Sequence, residues 1–305
     1  MKLYGVGNVI FYYREKKKLS QMQVCEGICN EMMMSRIEMG EREFDSLISE
    51  TLLERIGKTT NRFEFILNDE DYYYYLLRED IIKAVDMGDI ELAKEHIMVY
   101  RKNIPMNHVL HEQFLLYYEA LIMKVEKWTD AEIVACLYQA INLTREDFKE
   151  PITQLRLYSS IEIKIIYELF LYENYSYKTL EPVFRYVGEM YDEEVKRELL
   201  IPFLYQFGKR YLKEKNWHGL VEAAEQAIGL LQSGRTYLYL LEFHFMKVIA
   251  EQELYQNTNR WHEKRIELIE RCNEIYYMSM AIENQDMMKK SECFCREKLG
   301  CQITM

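Results

Sequence analysis

The sequence predicts an all-α protein, and three observations carry that expectation. Only 12 Gly and 4 Pro occur in 305 residues, too few to punctuate a turn-rich β architecture. Leu, Glu, Lys and Met, which favour helices, are abundant, with Ile and Tyr beside them. Beyond Gly57 the chain also repeats a pattern of two helical stretches separated by a short polar break. With 49% hydrophobic residues it has the length for one large helical array or two unequal domains.

The elements follow in order. Val9, Ile10 and Tyr13 recur at helical spacing before the basic run Arg14 to Lys18, which gives a first helix with a positively charged end suited to a phosphate. Ser20 stands as an N-cap with Gln23 in capping-box position, and Val24 and Ile28 form an inward i, i+4 pair, predicting a helix over Gln21 to Ile28. Asn30 caps a third helix, Glu31 to Met39, closed by Gly40. Asp45 caps a fourth, Ser46 to Ile56.

Two short helices, a tight turn and a Gly stop between Leu19 and Arg42 are the layout of a helix-turn-helix DNA reader. At about 100° per residue, Met34 and Ile37 share one side of the third helix, while Met32, Ser35, Arg36 and Met39 point the other way. Arg36 is the best base-reading candidate, because a guanidinium pairs bidentately with guanine O6 and N7. Gln21, at a helix N-terminus, and Arg42, beyond the stop, are placed for phosphates. With Glu31, Met32 and Ser35 they form the candidate DNA surface.

The string SQxxVCEGIC followed by SRIExGxR resembles the helix-turn-helix of phage-repressor-like, XRE-type regulators, and most closely the peptide-pheromone-responsive group containing PlcR, Rgg and PrgX. Cys25 to Cys29 and Ser35 to Glu38 carry the likeness, within residues 1–66. Two departures stand out. The proline-containing turn usual after Arg42 is replaced by Glu43-Phe44-Asp45, and three consecutive methionines occupy the recognition helix. Methionine can touch a thymine methyl but reads no hydrogen-bond pattern.

Residues 67–305 read as a tetratricopeptide-like, right-handed helical solenoid. Gly88-Asp89-Ile90-Glu91-Leu92-Ala93 matches the turn and second-helix start of such a repeat. In a frame of about 34 residues beginning at Ile201, Phe207, Gly208, Tyr211 and Ala227 fall on consensus positions. A weaker unit joins Leu110 to Val125 with Ile133 to Ile141, and helices are expected over Ser159 to Tyr172 and Tyr177 to Tyr191. The concave face of such an array binds extended peptides. Tyr205, Lys209, Leu212 and Lys213 project into it in the second frame, joined by Tyr117, Tyr118, Tyr239 and Phe243. The run Tyr72 to Tyr75 covers every side of a helix, either as a hinge against the head or as an over-aromatic first helix.

Charge and chemistry narrow the classes. The net charge of −11 disfavours bulk nucleic-acid affinity, but residues 1–58 hold nine basic and nine acidic residues and are neutral, so a single head binds weakly and two are needed. Apolar runs such as Ile161 to Leu171 are interrupted by Glu162, Lys164 and Glu168, so no membrane helix is expected. The N-terminus lacks the order of a secretory signal, which predicts a cytoplasmic location. Seven cysteines fit a reducing compartment as free thiols, and Cys293, Cys295 and Cys301 match no common zinc spacing. His108 and His111 with Glu112 hint at a metal, but position 115, where HExxH needs histidine, is Leu115, so no metal is assigned. No nucleotide-binding motif or catalytic grouping is present, and neither enzyme nor cofactor is expected.

The leading expectation is therefore a homodimeric transcription regulator with a DNA-binding domain over 1–66 and a regulatory and dimerisation domain over 67–305. The resemblance implies that a short signalling peptide controls it. The alternatives are a peptide-regulated protein-binding repeat module and a mobile-element repressor answering a non-peptide signal.

Overall fold

The structure, a computed structural model, describes residues 5–41, 44–58, 69–104, 108–146, 148, 157–173, 175–232 and 239–303. Fifteen α-helices run through the described residues, which contain no strand. The chain divides into two compact units, Met1–Asp192 and Glu193–Met305. The boundary expected at 66/67 lies outside the described residues, and the head shares its compact unit with the first six helices of the array.

The head comprises α1 (Val6–Lys16), α2 (Gln21–Cys25), α3 (Glu31–Met39) and α4 (Ser46–Arg55). Its caps form as the residue types require. Ser20 Oγ accepts from the Gln23 amide while Gln23 Oε1 accepts from the Ser20 amide, a reciprocal box. Asn30 and Asp45 accept from the Met33 and Ile48 amides. Helix α2 stops at Cys25, short of the expected Ile28, because Gly27 turns into the left-handed region at φ +71°. Ile10, Val24, Met34, Ile37 and Leu52 are fully buried, each contributing about 1.5–3 kcal/mol. Gly7 makes the α1–α3 packing possible, since a Cβ there would stand 1.8 Å from the Ile37 carbonyl oxygen.

Three helix pairs complete the first unit: α5 (Asp69–Asp86) with α6 (Ile90–Asn103), α7 (Val109–Val125) with α8 (Asp130–Asn142), and α9 (Ser160–Glu173) with α10 (Tyr177–Met190). Gly88 at φ +75° ends the first pair's turn and Asp89 caps α6, while Ala93, fully buried, lets α6 pack closely. The tyrosine run divides: Tyr74 and Tyr75 are buried and Tyr72 and Tyr73 are exposed. Tyr74 packs with Tyr100 and His111 inside the array.

Helix α4 is fastened to these pairs by a buried ionic cluster. Glu162 of α9, fully buried, accepts from Arg55 Nη2 at 2.7 Å and from Arg145 Nη2 at 3.3 Å, both arginines being equally buried. The Thr144 hydroxyl donates to Oε1 at 2.6 Å and the Ser159 amide to Oε2 at 2.7 Å. Arg55 also donates to the Val24 and Glu26 carbonyls, and Arg145 donates to the Leu157 carbonyl and pairs with Glu26. Burial pushes the Glu162 carboxyl up, but Arg145, Arg55 and its hydrogen bonds outweigh that and hold it at about 2.

The second unit holds α11 (Glu193–Glu214), α12 (Trp217–Gln232), α13 (Leu240–Tyr255), α14 (Trp261–Ala281) and α15 (Gln285–Lys298). Ala223, Ala224 and Ala227 of α12 are buried with Leu204 and Phe243 in the α11–α12–α13 core. Gly208 leaves room for Met246, whose sulfur would stand 2.8 Å from a Cβ there. The repeat frame read from Ile201 thus describes real helix–helix packing. Cys272, Cys295 and Leu299 form the core of the last pair with α15.

Replacing Glu162 by Gln leaves two buried guanidiniums short of a counter-charge and should lower stability by about 3–5 kcal/mol in urea unfolding. The depressed carboxyl also sets an acid limit. Its contribution is complete above the ordinary value of 4.5 and is lost as pH falls toward about 2, a dependence the Gln variant should lack in pH-resolved melts.

Candidate nucleic-acid interface and ligand cleft

Helix α3 turns Met34, Ile37 and Glu38 inward and leaves Glu31, Met32, Arg36 and Met39 exposed, with Ser35 half-buried. Met32 and Met39 are 68% and 56% exposed, a high figure for apolar side chains. Arg42 lies outside the described residues.

Two polar side chains near the expected phosphate face are engaged within the head. The Gln21 amide nitrogen donates to Glu38 Oε2 at 2.7 Å instead of pointing outward. Arg14 is 6% exposed, donating through Nε at 2.5 Å and Nη2 at 2.9 Å to the same carboxylate and through Nη1 to the Leu19 carbonyl. A buried carboxylate needs counter-charge and donors, and Glu38 takes both from the residues nearest it. Lys16 and Lys18 remain exposed on the basic run. Lys17 donates to the Met190 carbonyl at 3.1 Å, and burial, then the nearby Lys58 charge, lowers its ammonium pKa.

The head meets the array through glycine as well as charge. A Cβ on Gly27 would stand 2.1 Å from the Thr144 carbonyl oxygen, and one on Gly57, at φ +73°, would stand 1.9 Å from that of Met190. Ser160 donates from its amide and hydroxyl to Glu54 at 3.0 and 2.6 Å, and the Tyr186 hydroxyl donates to the Arg55 carbonyl at 2.8 Å. At the other end of α4, Asp45 Oδ2 lies 2.7 Å from His108 Nε2.

Between α4 and helices α5, α7 and α9 lies a small open cleft of about 70 Å³. Glu50 and Glu54 of the head form one wall, and Arg78, Tyr117, Tyr118 and Lys164 of the array form the others. Arg78 stands 3.7 Å from Glu50. Tyr117 is only 8% exposed, and burial, then the Glu168 charge, carries its hydroxyl pKa well above the usual range. Two of the residues expected to bind peptide therefore border a cleft whose far wall is the head itself. Spacing within the repeats placed Tyr117 and Tyr118 on an array helix but carried no sign that α4 would face them.

In the second unit Tyr205 packs on Tyr239 with ring centroids 4.6 Å apart, and Lys209 Nζ stands 5.1 Å from the centre of the Tyr205 ring. Tyr239 holds φ +64° at the start of α13, an unusual conformation for an aromatic residue. Lys213 is exposed and Leu212 packs partly against the core. Phe243 corrects its expectation. It is fully buried between α11, α12 and α13, because its position on α13 faces the alanines of α12.

No protein-family model and no curated protein sequence matches the chain. Solved structures do. The chain is similar to Bacillus thuringiensis PlcR, solved in complex with the peptide PapR7 and DNA, at 15% identity and a TM-score of 0.50, over 94% of this chain and 98% of that one. ComR from S. thermophilus, in complex with DNA and its signalling peptide ComS, gives 18% identity and a TM-score of 0.45, over 95% and 98%. The complex of PrgX with iCF10 gives 15% and 0.38, over 94% and 93%.

A pair of glycine substitutions separates backbone strain from head docking. Gly40→Ala adds only the cost of φ +72°, with nothing within 4 Å of the new Cβ, about 1–2 kcal/mol. Gly27→Ala adds the same strain and a collision with Thr144, so its melting temperature should fall well below that of the Gly40 variant. From the head through the last helix pair, the chain shares the all-α fold of the solved PlcR regulator.

Proposed function

We propose that this chain is a DNA-binding transcription regulator controlled by a short signalling peptide, acting in the cytoplasm as a homodimer. Residues 1–66 read operator DNA, and 67–305 bind the peptide and join the two copies. The observation that carries this reading is the double role of the head: α3 presents Glu31, Met32, Ser35, Arg36 and Met39 outward, while α4 forms one wall of the cleft. A ligand in that cleft touches the body that reads DNA. PlcR, which has this fold, was solved with a peptide and DNA bound, and that likeness supports both partners.

In this reading Arg36 is the base reader, and the exposed Lys16 and Lys18 take the phosphate role that Arg14 and Gln21 give up to Glu38. The peptide engages Tyr117 and Tyr118 with Arg78 and Lys164 in the first unit. Two heads must match half-sites about 34 Å apart, so a peptide that favours one dimer arrangement changes operator affinity. The same chain acting as a protein-binding module leaves the exposed face of α3 without a role.

Selection of bound duplexes from a random pool supplies the operator. On that operator Arg36→Ala should weaken binding about tenfold or more, since a bidentate guanine contact is worth about 1–3 kcal/mol, while helical circular dichroism stays unchanged. Equal binding by the two proteins would remove Arg36 from the reading face. Lys16→Ala should weaken all duplexes alike and flatten the salt dependence.

A further inference from the structure

Asp45, His108 and His111 lie outside both the reading face and the cleft. Asp45 is the N-cap of α4, and its Oδ1 is committed to the Ile48 amide at 2.9 Å, which turns Oδ2 away from the helix. His108 is the residue before α7 and His111 sits in its first turn, so both imidazoles lie on one side of the helix start with ring centroids 4.5 Å apart. Oδ2 is 2.7 Å from His108 Nε2 and 3.8 Å from His111 Nε2. The three ligand atoms all lie within 4.8 Å of one another, and no other such group of three occurs among the described residues.

We propose that Asp45, His108 and His111 bind one divalent transition-metal ion of the zinc class, which straps the last helix of the head to the array. Ligands about 2.0–2.1 Å from a tetrahedral ion stand roughly 3.3 Å apart, and the two distances from the carboxylate, 2.7 and 3.8 Å, bracket that spacing. His111 carries the second observation. It is 1% exposed, its Nδ1 is bonded to the Tyr100 hydroxyl, and its Nε2, aimed at the carboxylate and the other imidazole, has no hydrogen-bond partner. A buried imidazole whose far nitrogen is held by a hydroxyl and whose near nitrogen is unpartnered is an oriented ligand with its outer shell already built.

Two imidazoles and one carboxylate select zinc-like ions over magnesium or calcium, which prefer oxygen donors. Asp45 and His108 are about one-fifth exposed, which leaves a path for entry and a fourth position for water. The Arg78 charge also acts on His111, and Glu50 stands 3.7 Å from that guanidinium. The first-turn Glu112 pairs with Arg101 at 3.5 Å and takes no part. The third ligand is 63 positions before His108 in the chain, so no local motif announces the site.

The test uses the full chain, stripped with a chelator and titrated with Zn²⁺ by calorimetry, with Co²⁺ as the absorbance probe of geometry. One ion per chain should bind, raise the melting temperature, and give the visible absorption of a tetrahedral nitrogen and oxygen site without thiolate charge-transfer bands. Asp45→Asn keeps a good cap but loses the charge, and it should weaken binding about tenfold or more, as should His108→Asn. Cys293→Ser with Cys301→Ser should bind as the parent does. The assignment is overturned if the parent binds no ion, if Asp45→Asn and His108→Asn bind as tightly as the parent, or if the cysteine variant alone abolishes binding.

Discussion

The interaction on which the head's position depends is the buried triad of Arg55, Glu162 and Arg145. Three charges removed from water are expensive, and such a group is stable only when each partner is in place with its remaining donors and acceptors met. Glu162 has both guanidiniums, the Thr144 hydroxyl and the Ser159 amide. Arg55 and Arg145 spend further donors on Val24, Glu26 and Leu157. Every member belongs to a different segment: the end of α4, the loop just past α8 and the start of α9. The ion pairs therefore form only when those segments meet at one register, and since Arg55 Nε and Arg145 Nε keep no hydrogen-bond partner the cluster is a device for placement more than for net stability.

Around this point the docking has little slack. Gly27 lies against Thr144 and Gly57 against Met190, each so close that no Cβ fits. Close approach of this kind gives steep repulsion on one side and lost dispersion on the other, so small rotations are penalised in either direction. The head and the first three helix pairs form one compact unit for these reasons. A signal reaching α4 therefore has two physical routes. It can move head and first unit as one body, or it can break the triad and release the head altogether, and packed interfaces favour such discrete alternatives over graded bending.

The reading face is simpler. Glu38 gathers Arg14 and Gln21 beneath α3, which fixes α3 against α1 and α2 and occupies their polar groups within the head. What remains outside is one guanidinium, one hydroxyl, one carboxylate and two exposed methionines, a face poor in directional groups. Such a surface offers few directional hydrogen-bonding groups to any partner.

Local rules made much of this legible beforehand. Caps at Ser20, Asn30 and Asp45, the glycine stop at Gly40 and the inward Met34 and Ile37 all depend on neighbours within a turn or two, and the sequence by itself determined them. It also held one clue that local reasoning could not use: Glu162 interrupts an apolar run as if it were a solvent-facing break, yet it is fully buried. Whether a charge in such a run faces water or a partner depends on residues 107 and 17 positions away, which only the folded chain brings to it. The same holds for Arg14 and Gln21 turning to Glu38, for Phe243 entering the core, and for Asp45 meeting two histidines. Tertiary structure alone decided these, because charge and hydrogen-bond partners are chosen by distance in space, and helical periodicity specifies a face without naming what lies across from it.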